Sequence, residues 1–466
     1  MQKLINKRAV VMLLLAIFVG GYASLSLELI VLRQLSSFVG TTTITVSIVM
    51  GAFLAFMSWG YYKGSVESVR RFSLRRQAAD GFLIIALLVV LASSYILIDI
   101  YFMAFNQAGI TSNIIQTALY SLLFLSYGPY LFGKITAMLS RYLHYRDPNY
   151  TGKIMAVDTV GSVLGSLITT LIVMPFIGVN HTIVVVVVVS LTTAFLLSRR
   201  RNYPAMLTIL LAAVLFNQDK LLQDNYGIIE NNAVSTISVY KTDRGASRLL
   251  VVNGSLSSKV SDKHELNFPY VNFINDNFIN TIPKNKIKDI LVVGAGGFTV
   301  GLDDSRNNYV YVDVDKHLKR ITEENFLKKK LGENKQFVVQ DANQFFKESK
   351  KKYDVIVLDT YSSRQYIPME LVTKEYFERA KNNLKEGGIL LLNAITSPNF
   401  GDDFSMNLDN TLRQVFKDNL RAQTISRFDA WKKDMHSNII YIYYNRPNPE
   451  KIYTVNKNPS FYDYQL

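Results

Sequence analysis

Apolar residues in the first two hundred positions form long runs separated by short polar loops. Crossing about 30 Å of hydrocarbon takes about 17–25 helical residues. Six runs reach that length, at residues 9–31, 41–62, 81–105, 114–139, 154–179 and 182–198. A seventh, at residues 204–216, would extend only about 20 Å. The pattern predicts a multi-span transmembrane domain over residues 1–202, followed by a short apolar segment and linker at 203–232.

Lys and Arg are concentrated at alternate ends of these runs. They are Lys3, Lys7, Arg8, Lys63, Arg70, Arg71, Arg75, Arg76, Arg141, Arg146, Lys153 and the three arginines at 199–201. Among the intervening loops, only the first contains a basic residue, Arg33. Basic loops remain in the cytoplasm, so six crossings predict a multi-pass cell-membrane protein with both termini cytoplasmic. We expect residues 204–216 to lie along the membrane or against the bundle, because a seventh crossing would place the rest of the chain outside.

The pattern changes after residue 232. Short strand-like runs with a turn at Asn253-Gly254 predict a β-hairpin module and helix over residues 233–285, since Asn-Gly between such runs is typical of a hairpin. From 286 to 446, apolar strands alternate with helical segments, which predicts a parallel sheet with crossover helices. Residues 447–466 are left as a C-terminal tail.

Acidic residues follow the apolar strands of this predicted sheet. Asp313 and Asp315 follow one strand, Asp341 another and Asp359 a third, while a glycine-rich loop at 294–297 follows the first strand. Ligands bind at the carboxyl ends of parallel strands, and a carboxylate about 20 residues after a glycine loop suits the hydroxyls of a ribose. The arrangement therefore predicts a nucleoside site. The alternative is a Rossmann-like sheet whose acids only cap helices.

Composition restricts the chemistry. The chain has no cysteine, which excludes disulfides, thiolate metal ligands and a cysteine nucleophile. Its five histidines lack an H-x-x-x-H spacing, so we expect no metal site. The net charge of +14 suits basic loops beside anionic lipid, and we expect no nucleic-acid partner.

Several motifs together resemble those of the spermidine synthases, which are polyamine aminopropyltransferases. The hairpin module precedes Val-Gly-Ala-Gly-Gly at 293–297, Val-Asp-Val-Asp at 312–315, Gln-Asp-Ala at 340–342, Tyr-Asp-Val-Ile-Val-Leu-Asp at 353–359 and Leu-Lys-Glu-Gly-Gly at 384–388. The membrane half is similar to the branch of that family fused to a multi-span domain. The resemblance implies a Rossmann-like domain of the class I methyltransferase type after the membrane bundle and hairpin module.

The resemblance also implies roles for individual residues. Gly294 and Gly296 belong to the nucleoside loop, Asp313 would hold the ribose, and Asp341 with Ala342 would hold the adenine. Asp359 matches the acid proposed to accept a proton from the attacking amine.

Other positions depart from the family. Ser235 replaces a glutamine that contacts the nucleoside, and Gly297, Asn267 and Ser362 stand near or at acidic positions of the acceptor pocket, which Tyr361 would line. The nucleoside half is largely retained, while the polyamine half has lost negative charge.

Three functional classes follow. The resemblance implies transfer of an aminopropyl group from decarboxylated S-adenosylmethionine to an amine such as putrescine. The alternatives are an S-adenosylmethionine-dependent methyltransferase acting on a hydrophobic acceptor, and a membrane protein that binds nucleoside without catalysis. The two enzyme classes would use the adenosyl compound as a co-substrate, and we expect no permanently bound cofactor. The expected partners are small-molecule amine and nucleoside substrates and the lipid bilayer, and a homodimer stays open.

Four ionisable residues, Glu28, Asp99, Lys134 and Asp158, lie within or at the ends of the apolar runs. Charged groups in a membrane are costly and are candidates for function. We expect Lys134 to pair with Glu28 or Asp158 inside the bundle, with a substrate path as the alternative.

Overall fold

The computed structural model describes residues 7–40, 42–66, 71–145, 147–198, 202–242, 245–261, 267–361, 367–425, 436–447 and 460. The chain divides into two compact units. The first contains Met1–Ser258 and Tyr361–Tyr366, and the second contains Lys259–Thr360 and Ile367–Leu466.

The first unit is a helical bundle followed by a small sheet. Its helices are α1 (Lys7–Val39), α2 (Thr43–Val66), α3 (Arg71–Ser93), α4 (Tyr95–Gln107), α5 (Asn113–Phe124), α6 (Tyr127–His144), α7 (Tyr150–Ile168), α8 (Met174–Leu197), α9 (Tyr203–Phe216) and α10 (Asp219–Tyr226). A π-helical turn, Thr169–Val173, joins α7 to α8.

Several of these helices have the length and apolar composition needed to cross a membrane. Four helical stretches meet both criteria, namely Lys7–Val39, Thr43–Val66, Leu74–Ser93 and Tyr150–Leu197. Two bent pairs, α5 with α6 and α9 with α10, meet them when each pair is taken together. The expectation of several long apolar helices is confirmed, and their crossing of a membrane stays a prediction.

Two of the predicted runs differ in detail from the observed helices. The run at 81–105 is not continuous, because Ser94 adopts an extended conformation with ψ of 127° and separates α3 from α4. Helix α7, the π-helical turn and α8 follow one another without a gap from Tyr150 to Leu197. A straight helix of these 48 residues would measure about 72 Å at 1.5 Å per residue. Gly178 interrupts it with φ of 80° and ψ of 168°, at the predicted boundary between two runs.

Close helix packing in the bundle depends on small residues. A Cβ placed on Gly161 or Gly165 of α7 would lie 2.2 or 2.3 Å from the carbonyl oxygen of Phe18 or Tyr22 in α1. Nearby, the Ser26 hydroxyl bonds to Thr169 Oγ1 at 2.8 Å. Without a hydrophobic driving force between helices in lipid, such close backbone approach and interhelical hydrogen bonds supply the association energy. The pairing of Lys134 with Glu28 or Asp158 stays a prediction.

Of the two placements expected for residues 204–216, along the membrane or against the bundle, helix α9 has the second. It packs against α3 and α8, with Ile209 and Ala213 buried. At its C-terminal end, Asn217 Nδ2 donates to Ser94 Oγ at 3.0 Å. Ser94 directly follows α3, so the C-terminal end of α9 lies beside the C-terminal end of α3.

The small sheet has the strand order β1-β2-β3-β4, with β1 Ile228–Asn231, β2 Thr236–Thr242, β3 Ser247–Val252 and β4 Ser255–Ser261. Asn253 and Gly254 connect β3 to β4 with φ of 49° and 73°. Positive φ at both positions is what a tight hairpin turn requires, so the predicted Asn-Gly turn is confirmed.

The second unit contains a seven-stranded sheet with the order β10-β11-β9-β8-β5-β6-β7. Its strands are β5 (Asp289–Val293), β6 (Asn308–Asp313), β7 (Lys335–Val339), β8 (Tyr353–Leu358), β9 (Leu384–Thr396), β10 (Leu420–Thr424) and β11 (Ser437–Tyr444). Strands β5 to β9 pair in parallel, and β11 is antiparallel to β9 and β10. This is the predicted Rossmann-like sheet.

Short helices connect the strands. They are α11 (Pro269–Ile274), α12 (Leu318–Ile321), α13 (Ala342–Glu348), α14 (Lys374–Asn382) and α15 (Asp403–Phe416), with π-helical turns after α11 and α12. The strands from β5 to β9 are largely buried, as crossover helices on both faces require. The fold class is therefore a helical bundle, a small β-hairpin module and an α/β domain of the methyltransferase type.

The packing of α7 on α1 makes a matched pair of glycine substitutions informative. Gly165→Ala places a methyl group against the Tyr22 backbone, so we expect a loss of about 1–3 kcal/mol in stability from overpacking. Gly152→Ala, in the same helix, meets nothing within 4 Å and should be neutral or stabilising by up to about 1 kcal/mol. Thermal unfolding in detergent measures both, and equal stability of the two variants would contradict the packing.

Candidate functional site

The sequence order of the strands reverses direction at β5, because β6 and β7 lie on one side of it and β8 and β9 on the other. Val293 at the end of β5 pairs with Val312 of β6 and forms a register pair with Leu358 of β8. The next residues of the three strands, Gly294, Asp313 and Asp359, therefore lie side by side. Open parallel sheets bind ligands at such a switch point.

The glycine loop follows β5 in a conformation that needs glycine. Gly294 has φ of 87°, and a Cβ there would lie 2.1 Å from the Asp359 carbonyl oxygen. Gly296 has φ of 48°. Phe298 then anchors the loop, since its fully buried ring packs edge-on against Tyr311 at a centroid distance of 5.0 Å. The loop is thus held against the end of β8 with its backbone, not side chains, at the switch point.

Asp313 is held by peptide groups. Its carboxylate accepts hydrogen bonds from the backbone N–H of Ala295 at 3.1 Å and of Asp315 at 3.2 Å. Burial raises the pKa of Asp313 to about 6, and the backbone donors oppose that rise. A carboxylate offers about four lone-pair sites, so Asp313 keeps capacity for a ligand hydroxyl group beside its backbone donors.

Asp341 acts as the N-cap of α13. It is exposed, and its side chain accepts a hydrogen bond from the Gln344 N–H at 2.9 Å. At this position the helix-capping alternative is observed, whereas Asp315 accepts from the His317 N–H at 2.8 Å in a local turn ahead of α12. Ala342, the next residue, is buried. The assignment of Asp341 and Ala342 to adenine binding stays a prediction.

Asp359 has two side-chain donors, one on each oxygen. The Tyr270 hydroxyl donates to Oδ2 at 2.8 Å, and Asn393 Nδ2 donates to Oδ1 at 2.9 Å. Asn438 Nδ2 in turn donates to Asn393 Oδ1 at 2.9 Å, which orients that amide. Burial raises the pKa of Asp359, while the Asn393 and Tyr270 hydrogen bonds lower it. The carboxylate is therefore held in one orientation by β9 and α11.

Tyr270 and Asn393 are absent from the site predicted from the sequence. Asn393 had a usable signal, because it follows Leu390–Leu392 in an apolar strand whose carboxyl end belongs to the same edge. Tyr270 had none, since α11 precedes the sheet and only the folded chain brings it to Asp359.

The predicted acceptor residues, and Ser235 of the predicted nucleoside site, are divided between the two units. Asn267 lies just before α11, partly buried, and Gly297 is buried in the glycine loop. Tyr361 and Ser235 belong to the first unit, where the Ser235 N–H donates to Asn232 Oδ1 at 2.9 Å. Ser362 lies outside the described residues. Within the described residues, no three His, Cys, Asp or Glu side chains lie together in a way that could hold a metal ion.

These features define a class of protein, an α/β domain with a partly buried aspartate, hydrogen-bonded on both carboxylate oxygens, at the switch point of its sheet. Residues 272–427 match the family model described as a spermine/spermidine synthase domain. That match covers most of the seven-stranded sheet.

Curated relatives agree with this match. A polyamine aminopropyltransferase of Saccharolobus islandicus (strain L.S.2.15 / Lassen #1) is 31% identical over 196 residues, which are 39% of this chain and 62% of the relative. One from Sulfurisphaera tokodaii is 28% identical over 184 residues, covering 36% of this chain and 57% of the relative. The chain thus spans about 62% of the length of the more similar of these two relatives.

Among solved structures, a probable spermidine synthase from Corynebacterium glutamicum aligns with a TM-score of 0.40 and 20% identity, over 48% of this chain and 80% of that chain. By the family model and the curated relatives, the C-terminal part of this chain is similar to the spermine/spermidine synthase family.

The contact of Gly294 with β8 can be tested against another glycine of positive φ. Gly387 has φ of 73° with nothing within 4 Å of an added Cβ, so Gly387→Ala isolates backbone strain, about 1–2 kcal/mol. Gly294→Ala adds a collision with the Asp359 backbone, and we expect it to cost roughly 2 kcal/mol or more beyond that. Chemical denaturation measures the difference. Equal losses would mean that the loop moves freely away from β8.

Proposed function

We propose that this protein binds a sulfur-containing adenosine at the end of β5 and transfers an aminopropyl group from decarboxylated S-adenosylmethionine to an amine acceptor. The observation that carries the proposal is the pair of carboxylates at the ends of β6 and β8, the two strands that flank β5. Asp313 is held by backbone donors beside the glycine loop, and Asp359 is held by Tyr270 and Asn393 across β5. The match of residues 272–427 to the spermine/spermidine synthase domain model supports it.

The division of labour follows from the two environments. Asp313 would accept hydrogen bonds from both ribose hydroxyls, and the backbone of Gly294 and Gly296 would allow close approach of the nucleoside. Asp341 and Ala342 would border the adenine. No permanently bound cofactor is part of this proposal, because the adenosyl compound is consumed.

Asp359 would act on the acceptor. The amine lone pair attacks the aminopropyl carbon bonded to the sulfonium, the carbon–sulfur bond breaks, and its electron pair remains on sulfur as a neutral thioether. The proton lost by the amine passes to Asp359, the general base. Burial raises the pKa of this carboxyl, which improves it as a base. Tyr270 and Asn393 are positioning residues, since they orient the carboxylate by donating to both of its oxygens.

The acceptor side supports an amine of lower charge than a diamine such as putrescine. A dication needs carboxylates at both ends to replace water. Gly297, Asn267 and Ser362 carry no charge at the positions where acids are expected. The same departures favour methyl transfer to a hydrophobic acceptor as a second candidate function, and nucleoside binding without catalysis as a third.

Nucleoside binding is tested by substituting the two carboxylates assigned to it. Asp313→Asn and Asp341→Asn should each weaken binding of methylthioadenosine by about 1–3 kcal/mol, because the amide replaces one acceptor oxygen of the carboxylate with an NH2 donor and removes its negative charge. Isothermal titration calorimetry on the detergent-solubilised protein measures this. Asp303→Asn, at a largely exposed side chain, is the matched control and should bind normally.

The pH dependence of binding isolates Asp313. Its pKa of about 6 lies above the ordinary value of 3.8, so the acceptor carboxylate is lost as the pH falls through about 6. We expect affinity to fall about tenfold between pH 7.5 and pH 5, and the Asp313→Asn protein to lack this dependence. Unchanged affinity in Asp313→Asn, or an unchanged pH profile, would contradict the assignment. Tighter binding of S-adenosylhomocysteine than of methylthioadenosine would favour methyl transfer.

Catalysis is tested at Asp359. Asp359→Asn should lower kcat by roughly 10²–10⁴-fold, because a general base is removed, while methylthioadenosine affinity changes little. Tyr270→Phe should lower kcat less and leave a residual rate that rises with pH, since the carboxylate remains but loses one donor. Product formation from decarboxylated S-adenosylmethionine and a set of mono- and diamines measures both. Normal turnover in Asp359→Asn would remove this residue from the mechanism.

A further inference from the structure

A buried arginine ties the end of α1 to the small sheet. Arg33 Nε donates to the Asn232 carbonyl oxygen at 2.7 Å, and its Nη2 donates to both Asn231 Oδ1 and Thr236 Oγ1 at 3.3 Å. Ser37 bonds to Thr236 Oγ1 at 2.8 Å. We call these five residues the Arg33 cluster. Since a charged group is costly within lipid, the Arg33 end of α1 lies outside the hydrocarbon, next to β1 and β2.

The same end of the bundle includes α3 and the start of the second half of α8. Asn231 Nδ2 bonds to Gln34 Oε1 at 3.0 Å and to Asn180 Oδ1 at 2.9 Å. Gln34 Nε2 donates to the Ser93 carbonyl oxygen at 2.9 Å. The Arg33 cluster therefore marks the ends of α1 and α3 and the beginning of the helix that runs from Asn180 to Leu197.

The basic residues lie at the opposite end. Arg75, near the start of α3, donates to the Leu196 carbonyl oxygen at the end of α8 at 3.3 Å. Arg141, near the end of α6, donates to the Ser65 carbonyl oxygen at the end of α2 at 2.6 Å. Lys7 begins α1, about 39 Å along the helix from Arg33. By the distribution of basic residues, this is the cytoplasmic end.

Helix α9 connects the two ends. It starts at Tyr203, whose ring lies 6.2 Å from that of Phe195 near the basic end of α8. Beyond its last turn, Asp219 Oδ1 accepts a hydrogen bond from Asn180 Nδ2 at 3.1 Å, at the Arg33 end. Its other face exposes the large apolar side chains Leu207, Leu211, Val214 and Leu215, as a lipid-facing surface requires.

We propose that the chain crosses the membrane seven times, with α9 as the seventh crossing, and that β1 and everything after it lie on the extracytoplasmic side. A crossing by only 14 helical residues requires modest thinning of the bilayer or inclusion of the polar ends. Within the part of the chain that the structure describes after α10, no helix has the length and composition of a span. In the sequence after α10, no other apolar run is long enough to cross the membrane again.

This placement has a consequence that depends on the proposed function. Adenosylated sulfonium donors are products of the cytosol, so a site on the other side receives them only after an export step. The reaction that precedes this one is then a transport reaction across the same membrane, and the acceptor is an amine present outside the cytoplasm.

The absence of cysteine from the chain allows a direct test with single-cysteine variants of the full-length protein. Asp224→Cys in α10 and Glu333→Cys in the second unit report on which side of the membrane the chain after α9 lies. Both positions are exposed. Tyr145→Cys, between α6 and α7 and 88% exposed, is the control for the basic end. A membrane-impermeant maleimide is applied separately to right-side-out and to inverted membrane vesicles.

We expect Asp224→Cys and Glu333→Cys to be labelled in right-side-out vesicles and Tyr145→Cys in inverted ones. Labelling of all three only in inverted vesicles would overturn the proposal and restore six crossings with a cytoplasmic domain. Labelling of Tyr145→Cys from outside would overturn the orientation. Nucleoside binding is measured separately in detergent, so failure of the topology and failure of the proposed function give different results.

Discussion

The site depends on how closely the backbone of the glycine loop approaches the end of β8. At Gly294 there is no room for a Cβ beside the Asp359 carbonyl oxygen, and the positive φ of this residue turns the chain out of β5 immediately after the sheet. The turn lets the Ala295 N–H reach Asp313 on the neighbouring strand. One steric constraint thus arranges the peptide donors, the Asp313 carboxylate and the Asp359 backbone around a single point, and any larger residue would separate them.

The two carboxylates at that point differ in what holds them, and this difference suggests different roles. Asp313 accepts only peptide N–H groups among the bonds described above, which suits a fixed acceptor for hydroxyl groups. Asp359 accepts side-chain donors on both oxygens, from a helix and a strand distant in sequence. Such bonds fix the direction of the carboxylate while burial raises its pKa, and a positioned base needs both properties.

In the helical bundle, the buried polar groups at the helix ends are satisfied by one another. Arg33, Gln34 and Asn231 form one connected set of hydrogen bonds, and this set joins helix ends to the first strands of the small sheet. Glycines between α1 and α7 supply close packing deeper in the bundle. The polar ends decide which helix termini lie together, and so they carry the information about sidedness that apolar packing lacks.

The sequence by itself determined the long apolar helices, the Asn253-Gly254 hairpin and the order of strands that makes a Rossmann-like sheet, because these follow from local periodicity and turn chemistry. It also located Asp313 and Asp359, since residues at the carboxyl ends of parallel strands meet at one edge. Only the tertiary structure decided that Tyr270 and Asn393 hold Asp359, that Asp341 caps a helix, and that α9 runs the length of the bundle. Those outcomes depend on contacts between residues far apart in the chain, for which neither hydropathy nor spacing carries a signal.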